Sequence, residues 1–186
     1  MLKLDIIVAS TRPGRIGLPI AEWVHGVAAK HPAWEAVLVD LKAIALPMFD
    51  EPNHPRLKRY EHEHTKAFSA IIDAADAFVI VTPEYNFSTP PALANAFTYL
   101  FAEWGYKPVG YVSYGGVSGG LRSVQMQKLT ASALKMVPLN EGVTLPFAAN
   151  HVKDGAFHAE ESHQKAAGVM LDELARWATA LRTMRA

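Results

Sequence analysis

The feature that most constrains this sequence is an alternation of two hydrophobic periods. Short apolar runs occur at 3–9 (KLDIIVA), 34–40 (WEAVLVD), 77–82 (AFVIVT) and 108–114 (PVGYVSY), with a further strand expected within 136–145. Where such a run is apolar at every position, as in AFVIVT, both of its faces must be buried. That is the pattern of a strand inside a parallel sheet. The stretches between the runs read as helices over 16–30, 56–74, 91–104, 118–135 and 160–183. In the first of these, Ile16, Ile20, Trp23, Val24 and Val27 share one face. In the last, Met170, Leu171, Leu174, Trp177, Ala178 and Leu181 are expected to point inward. Five strands alternating with five helices specify an α/β sandwich, because parallel neighbours are joined by crossovers and the crossover helices cover both faces.

The rest of the composition mainly excludes. A chain of 186 residues with no repeat, low-complexity tract or linker is expected to form one domain, 1–186. Only 47–64, with Pro47, Pro52, Asn53 and Pro55, reads as loosely structured. The absence of cysteine removes disulfides, thiolate metal sites and thiol nucleophiles. Eighteen Lys and Arg balance eighteen Asp and Glu, so no overall field favours nucleic acid or an anionic membrane. Asp5 interrupts the apolar N-terminus, which does not read as a signal peptide, and no window is long enough to span a membrane; a cytoplasmic location is expected. Asn86-Phe87-Ser88 matches a glycosylation sequon and is taken as chance. No metal site is expected. His62 and His64, two apart on a helix, would diverge, and His54 lies in the loose segment.

In a sheet of this kind, ligands bind beyond the carboxyl ends of the strands. Three unusual segments sit there. After the first strand comes Ser10-Thr11-Arg12-Pro13-Gly14-Arg15-Ile16-Gly17, which brings hydroxyls, two arginines and two glycines to a helix start. A phosphate there would meet free N–H groups, the positive end of the helix dipole and charge-assisted bonds. Neither GxxxxGK[ST] nor GxGxxG is present, and a capped turn with solvated arginines is the plainer alternative. After the third strand comes Thr82-Pro83-Glu84-Tyr85-Asn86-Phe87-Ser88-Thr89-Pro90-Pro91. Prolines stiffen both ends, so its backbone could follow the edge of a flat heterocycle, or it is simply a Pro-rich turn. After the fourth comes Ser113-Tyr114-Gly115-Gly116-Val117-Ser118-Gly119-Gly120, whose glycines allow close backbone approach or merely a tight turn.

STRPGR, TPEYNFSTPPALANAFTYL and SYGGVSGGLRS together resemble the NADPH-dependent FMN reductase family, over about residues 3–145. This flavodoxin-like group includes quinone, azo-dye and chromate reductases. The resemblance implies a flavodoxin-like three-layer sandwich with a five-stranded parallel sheet of order 2-1-3-4-5. It implies FMN as cofactor and NADPH or NADH as hydride donor. It places the FMN phosphate at Ser10 and Arg12, with Arg15 and Gly17 where other members often carry Ser and Asn. Pro83, Glu84, Tyr85 and Asn86 would line the isoalloxazine, and Ser113, Tyr114, Gly115 and Gly116 would border it. Family members are commonly dimers or tetramers. The expected homodimer or homotetramer fits the apolar surface around 91–104, from Leu93, Phe97, Tyr99, Leu100, Phe101 and Trp104, although burial within one chain would explain it too.

The expected reaction is a ping-pong hydride transfer. NAD(P)H reduces the flavin at N5 and leaves, and a quinone, azo compound or similar acceptor takes its place. The cofactor carries the chemistry, so no catalytic side chain is expected. Three alternatives stay open. Gly116-Val117-Ser118-Gly119-Gly120 matches the G-x-S-x-G elbow of a serine hydrolase, with Asp154 and His158 or His163 following in chain order. The others are a one-electron carrier, against which the neutral charge argues, and a flavin-binding regulator without turnover.

Overall fold

In the computed structural model, which describes residues 1–185, the chain follows this order. β1 (Leu2–Val8), α1 (Gly17–Ala28), β2 (Trp34–Asp40), α2 (Leu41–Ile44) and α3 (Glu63–Ala74) come first. β3 (Ala77–Pro83), α4 (Pro91–Tyr99), β4 (Pro108–Gly115) and α5 (Leu121–Ala133) follow. β5 (Val137–Pro146), β6 (Val152–Lys153), β7 (Ala156–Phe157) and α6 (Glu161–Leu181) complete it. The main sheet has five parallel strands in the order β2-β1-β3-β4-β5. This is the expected flavodoxin-like topology. The order reverses beside β1, so the loops after β1 and β3 splay apart at the crevice where such sheets bind ligands.

Side-chain alternation assigns each strand residue to one of two cores. Leu4, Ile6 and Val8 of β1, with Val79, Val81 and Val112, pack under α1 and α6 through Ile20, Val24, Met170, Leu171 and Leu174. Ile7 and Ala9, with Phe78, Ile80, Val109 and Tyr111, pack under α3, α4 and α5 through Phe68, Ile72, Leu93, Phe97 and Val124. Each fully buried Leu, Ile, Val or Phe contributes roughly 1.5–3 kcal/mol of transfer free energy, so both faces of β1 and β3 must be covered at once.

Several local expectations are corrected. The helix expected at 56–74 begins only at Glu63. Pro55–Leu57 form one 3₁₀ turn, which Lys58 ends in the left-handed region (φ 50°). The buried Glu51 carboxylate then accepts the N–H groups of Glu61 (2.8 Å) and His62 (3.1 Å), supplying acceptors just ahead of α3. Because His62 is the cap rather than a helical residue, its ring does not diverge from His64. The two stack with centroids 5.2 Å apart, and His64 Nε2 lies 3.0 Å from Asp50.

Helix α4 ends at Tyr99 because Leu100 turns extended. The apolar residues around it are consumed inside the chain. Leu93, Phe97, Tyr99, Leu100 and Trp104 are buried, and Trp104 sits among the rings of Phe68, Phe78 and Phe97 at 5.0–6.1 Å. Trp177 of α6 is not inward but 42% exposed, at the margin of the helix's buried stripe. The hairpin β6–β7, turned by Asp154 and Gly155 at positive φ, is too short to leave a hydrophobic period.

Two of the buried ionisable groups, Asp5 and Lys107, lie away from the loops at the carboxyl ends of the strands. Asp5 lies on the α3–α4 side of β1, and its Oδ2 has no hydrogen-bond partner. Burial raises its carboxyl to about 7, against the opposing attraction of Lys107. Lys107 Nζ donates to the carbonyls of Ile72 (2.7 Å) and Asp73 (2.9 Å) at the end of α3, and burial lowers it to about 8. Folded Asp5 holds its proton to higher pH than unfolded Asp5, so ionisation opposes folding increasingly as pH rises from about 4 to 7. An Asp5→Asn variant escapes this cost. Urea unfolding at pH 4.5 and pH 7 should show the wild type losing about 1–3 kcal/mol more than the variant over that interval. Parallel pH curves for the two proteins would refute it.

Candidate active site

The three loops singled out in the sequence meet at the carboxyl ends of β1, β3 and β4. Pairing sets Thr82 beside Ser113 and Pro83 beside Tyr114, so the second and third loops leave the sheet side by side. Ser10, buried at the end of β1, has its Oγ 3.1 Å from the Tyr85 hydroxyl, joining the first loop to the second. Gly17 joins the first to the third. A Cβ there would collide with the Tyr114 hydroxyl, so glycine is required for this approach. That hydroxyl is buried without a hydrogen-bond partner, and burial holds its proton on well above the ordinary range.

The first loop ends in an unfinished helix. No side chain caps α1, and the cap residue is Ile16. Pro19 brings no N–H, so the first turn presents the N–H groups of Gly17, which is buried, and Leu18 without a side-chain acceptor. Such an end is suited to an anion. Arg12 is exposed beside it and makes no ion pair among the described residues.

Arg15 behaves differently from Arg12. Its guanidinium grips Asp40, at the end of β2, through two bonds of 2.6 and 2.5 Å, and also donates to the Ser10 carbonyl (2.5 Å). Burial pulls the Asp40 carboxyl up, but the bonds from Arg15 and the Lys42 N–H outweigh it and hold it below its ordinary range. Arg15 is thus a brace that fixes the loop to β2, with its fork already filled.

In the second loop, Tyr85 and Ser88 exchange backbone bonds (Tyr85 N–H to Ser88 at 3.3 Å, Ser88 N–H to Tyr85 at 2.9 Å). The turn between them places both Asn86 (φ 50°) and Phe87 (φ 65°) in the left-handed region. Asn tolerates this, whereas an aromatic residue there is strained. Glu84 turns away from the turn toward α5. Its carboxylate accepts from Ser118 Oγ (3.0 Å), the Arg122 N–H (3.1 Å) and Arg122 Nε (2.7 Å). Burial disfavours the Glu84 charge, but these donors hold its carboxyl below the ordinary range.

In the third loop, Gly116 is exposed, and a Cβ added there would meet nothing within 4 Å. Ser113 is buried. Gly115 packs against the Gly120 backbone. Below the loops, Gln127 of α5 donates to Thr82 (2.8 Å) and Ser123 (2.8 Å), tying α5 to the end of β3.

No serine triad is assembled. Ser118 Oγ bonds to Glu84, and Arg122 donates to it at 3.2 Å; no histidine is its partner among the described residues. His163 packs with His151 and Phe157 beside the β6–β7 hairpin, and Asp154 turns that hairpin.

The profile of the NADPH-dependent FMN reductase family matches residues 2–150. The chain belongs to this family. It is 40% identical, over 77% of its length, to an NAD(P)H-dependent FMN reductase of Schizosaccharomyces pombe, covering 74% of that protein. It is 35% identical, over 88% of its length, to a protein of the same description from Nectria sp., covering 87% of it. In fold it is similar to the flavoenzyme NAD(P)H:acceptor oxidoreductase of Paracoccus denitrificans, with a TM-score of 0.76 at 20% identity over 97% of this chain and 98% of that one. The chain is therefore an oxidoreductase of the FMN-dependent, NAD(P)H-using type.

Within this FMN reductase, reading by sequence missed Asp40 and Arg122. Asp40 left one trace, a carboxylate closing the apolar run Ala36–Val39 at the end of the WEAVLVD strand. Arg122 left none with respect to Glu84, 38 residues away. Exchanging Arg15 for Gln would leave Asp40 and the Ser10 carbonyl without their shared donor. The expected cost is about 1–3 kcal/mol in urea unfolding at pH 7, for a partly buried bidentate pair. A cost below about 0.3 kcal/mol would show that the brace is dispensable.

Proposed function

We propose that this chain, as one FMN-binding domain, passes hydride from NAD(P)H through FMN to quinones, azo compounds or similar acceptors, in two successive half-reactions at one site. The observation that carries the reading is the uncapped start of α1. Its first turn begins at the buried Gly17, in the loop that leaves the carboxyl end of β1 and carries the Ser10 hydroxyl and the unpaired Arg12. A phosphate monoester satisfies all three features together: free N–H groups, a hydroxyl and a guanidinium. Gly17 adds close backbone approach, and Arg15 braces the loop from behind.

The residues fit a flat ring system as well. Thr82 and Pro83 pair with Ser113 and Tyr114, so Pro83, Glu84, Tyr85 and Asn86 on one side and Ser113, Tyr114, Gly115 and Gly116 on the other would border the ring, Glu84 through its backbone because its carboxylate is held by Ser118 and Arg122. The orphaned Tyr114 hydroxyl and the open space at Gly116 leave a donor and room for a ligand. Bound FMN would supply the two-electron chemistry; the chain would bind and orient it and surround it with N–H donors. Two relatives support the acceptor class. An NADPH azoreductase of Bacillus sp. is 30% identical over 69% of this chain and 71% of its own length. A 2-hydroxy-1,4-benzoquinone reductase of Burkholderia sp. is 31% identical over 64% and 58%.

A homodimer or homotetramer is part of the proposal. Its support lies on α5, where Met126 and Leu129 are exposed three residues apart. A neighbouring cleft of about 730 Å³, between the 49–55 segment, α4 and α5, includes Phe49, Phe97, Leu100, Phe101 and Leu134 in its walls. No helix among the described residues is long and apolar enough to cross a membrane.

The test begins with the purified protein and an FMN fluorescence titration. Binding should be saturable, and Arg12→Ala should weaken it about tenfold, the loss of one charge-assisted contact. Steady-state oxidation of NADPH with a naphthoquinone should give parallel double-reciprocal lines, as two successive half-reactions require. A chain that binds no FMN would refute the assignment, and intersecting lines would refute the two-step order. Light scattering should report a dimer or tetramer, shifted toward monomer by Leu129→Glu.

A further inference from the structure

The strained turn at Asn86–Phe87 is held by more than the backbone bonds between Tyr85 and Ser88. The Arg122 guanidinium lies over the Phe87 ring, with its carbon 3.6 Å from the centroid. The same guanidinium pairs with Glu84 (2.5 Å from NH2), whose side chain is almost fully buried. Ser118 Oγ and the Arg122 N–H complete the Glu84 shell. One side chain from the first turn of α5 therefore presses on the least comfortable residue of the second loop and anchors the residue just before the turn. The N–H groups of Asn86 and Phe87 have no acceptor among the described residues. A left-handed aromatic residue is strained and persists where its surroundings over-determine it.

The geometry points to Arg122 as a positioning residue, which clamps Asn86–Phe87 in the left-handed turn so that its free N–H groups face the flavin ring. The clamp rests on the function proposed above and adds a residue that acts through Phe87 rather than on the cofactor. Alternative employment as an anion receptor suits Arg122 poorly, because Glu84 already occupies its fork. Reduction adds negative charge to the ring, and fixed N–H donors favour that charge more than a loose turn does. Losing the clamp should therefore weaken reduced FMN more than oxidised FMN.

The experiment is a cycle of Arg122→Ala, Phe87→Gly and the double variant, read as FMN affinity and as midpoint potential of the FMN-loaded proteins. Glycine adopts φ 65° without strain, so it removes the need for the clamp. Arg122→Ala should weaken oxidised FMN about threefold and reduced FMN about thirtyfold. That tenfold difference corresponds to a midpoint about 30 mV lower. The double variant should recover most of both losses. Failure of Phe87→Gly to restore them would overturn the proposal and put Arg122 in direct contact with a ligand. An unchanged potential in Arg122→Ala would overturn it as well. The same cycle is run on the flavin-free proteins by urea unfolding, where the Arg122 and Phe87 substitutions should be coupled, and additive effects would refute the clamp. If the wild type binds no FMN, the proposed function fails, whereas coupling in the flavin-free cycle still identifies the clamp.

Discussion

Everything at the site depends on burying β1 and β3 on both faces. Alternate side chains of these strands belong to different cores, one under α1 and α6 and one under α3, α4 and α5. No shift by a single residue is tolerated, because it would exchange the two sets wholesale. With register held, the carboxyl ends of β1, β3 and β4 reach one edge together. Ser10, Thr82 and Ser113 arrive there as buried polar residues at the margin of an apolar sheet. The chain must then pass into helices through short loops, and it does so with backbone groups exposed toward a common space.

Those loops are stiffened by charge pairs rather than by apolar packing. Arg15 with Asp40 braces the first loop, and Arg122 with Glu84 braces the second. In each pair the carboxylate is well shielded or multiply bonded and held below its ordinary range despite burial. The consequence is a division of labour between neighbouring arginines. Arg15 is spent inside the protein, which leaves Arg12, among the described residues, as the one free cation of that loop. Where a bound cofactor carries the chemistry, the protein binds and orients it, and orientation needs this kind of rigidity.

Much of this was legible beforehand. KLDIIVA and AFVIVT read as parallel strands because a run buried on both faces leaves a nearly unbroken apolar signature, whereas WEAVLVD, an edge strand with Glu35 and Val37 exposed, is legible from its remaining apolar residues. STRPGR, PEYN and SYGG stood out because they follow such strands and carry residue types poor in either period. What misled was local reasoning about side chains whose partners are remote. Arg15 and Arg12 look alike until Asp40 is placed beside one of them. The apolar surface near 91–104 looked like an interface until Phe68 and Phe78 closed on Trp104. His62 and His64 do not share a helix, because the helix expected from residue 56 begins only at Glu63.

The sequence by itself determined the layer order, the strand direction and the three loops that meet at the sheet edge, because these follow from hydrophobic period and from glycine and proline chemistry over short spans. Only the tertiary structure decided which charges are free and which backbone is strained. Arg122 reaches Glu84 and Phe87 across more than thirty residues, and the positive φ of Phe87 has no counterpart in its residue type. Pairing and strain are properties of distance, and distances between remote residues exist only once the two cores have closed.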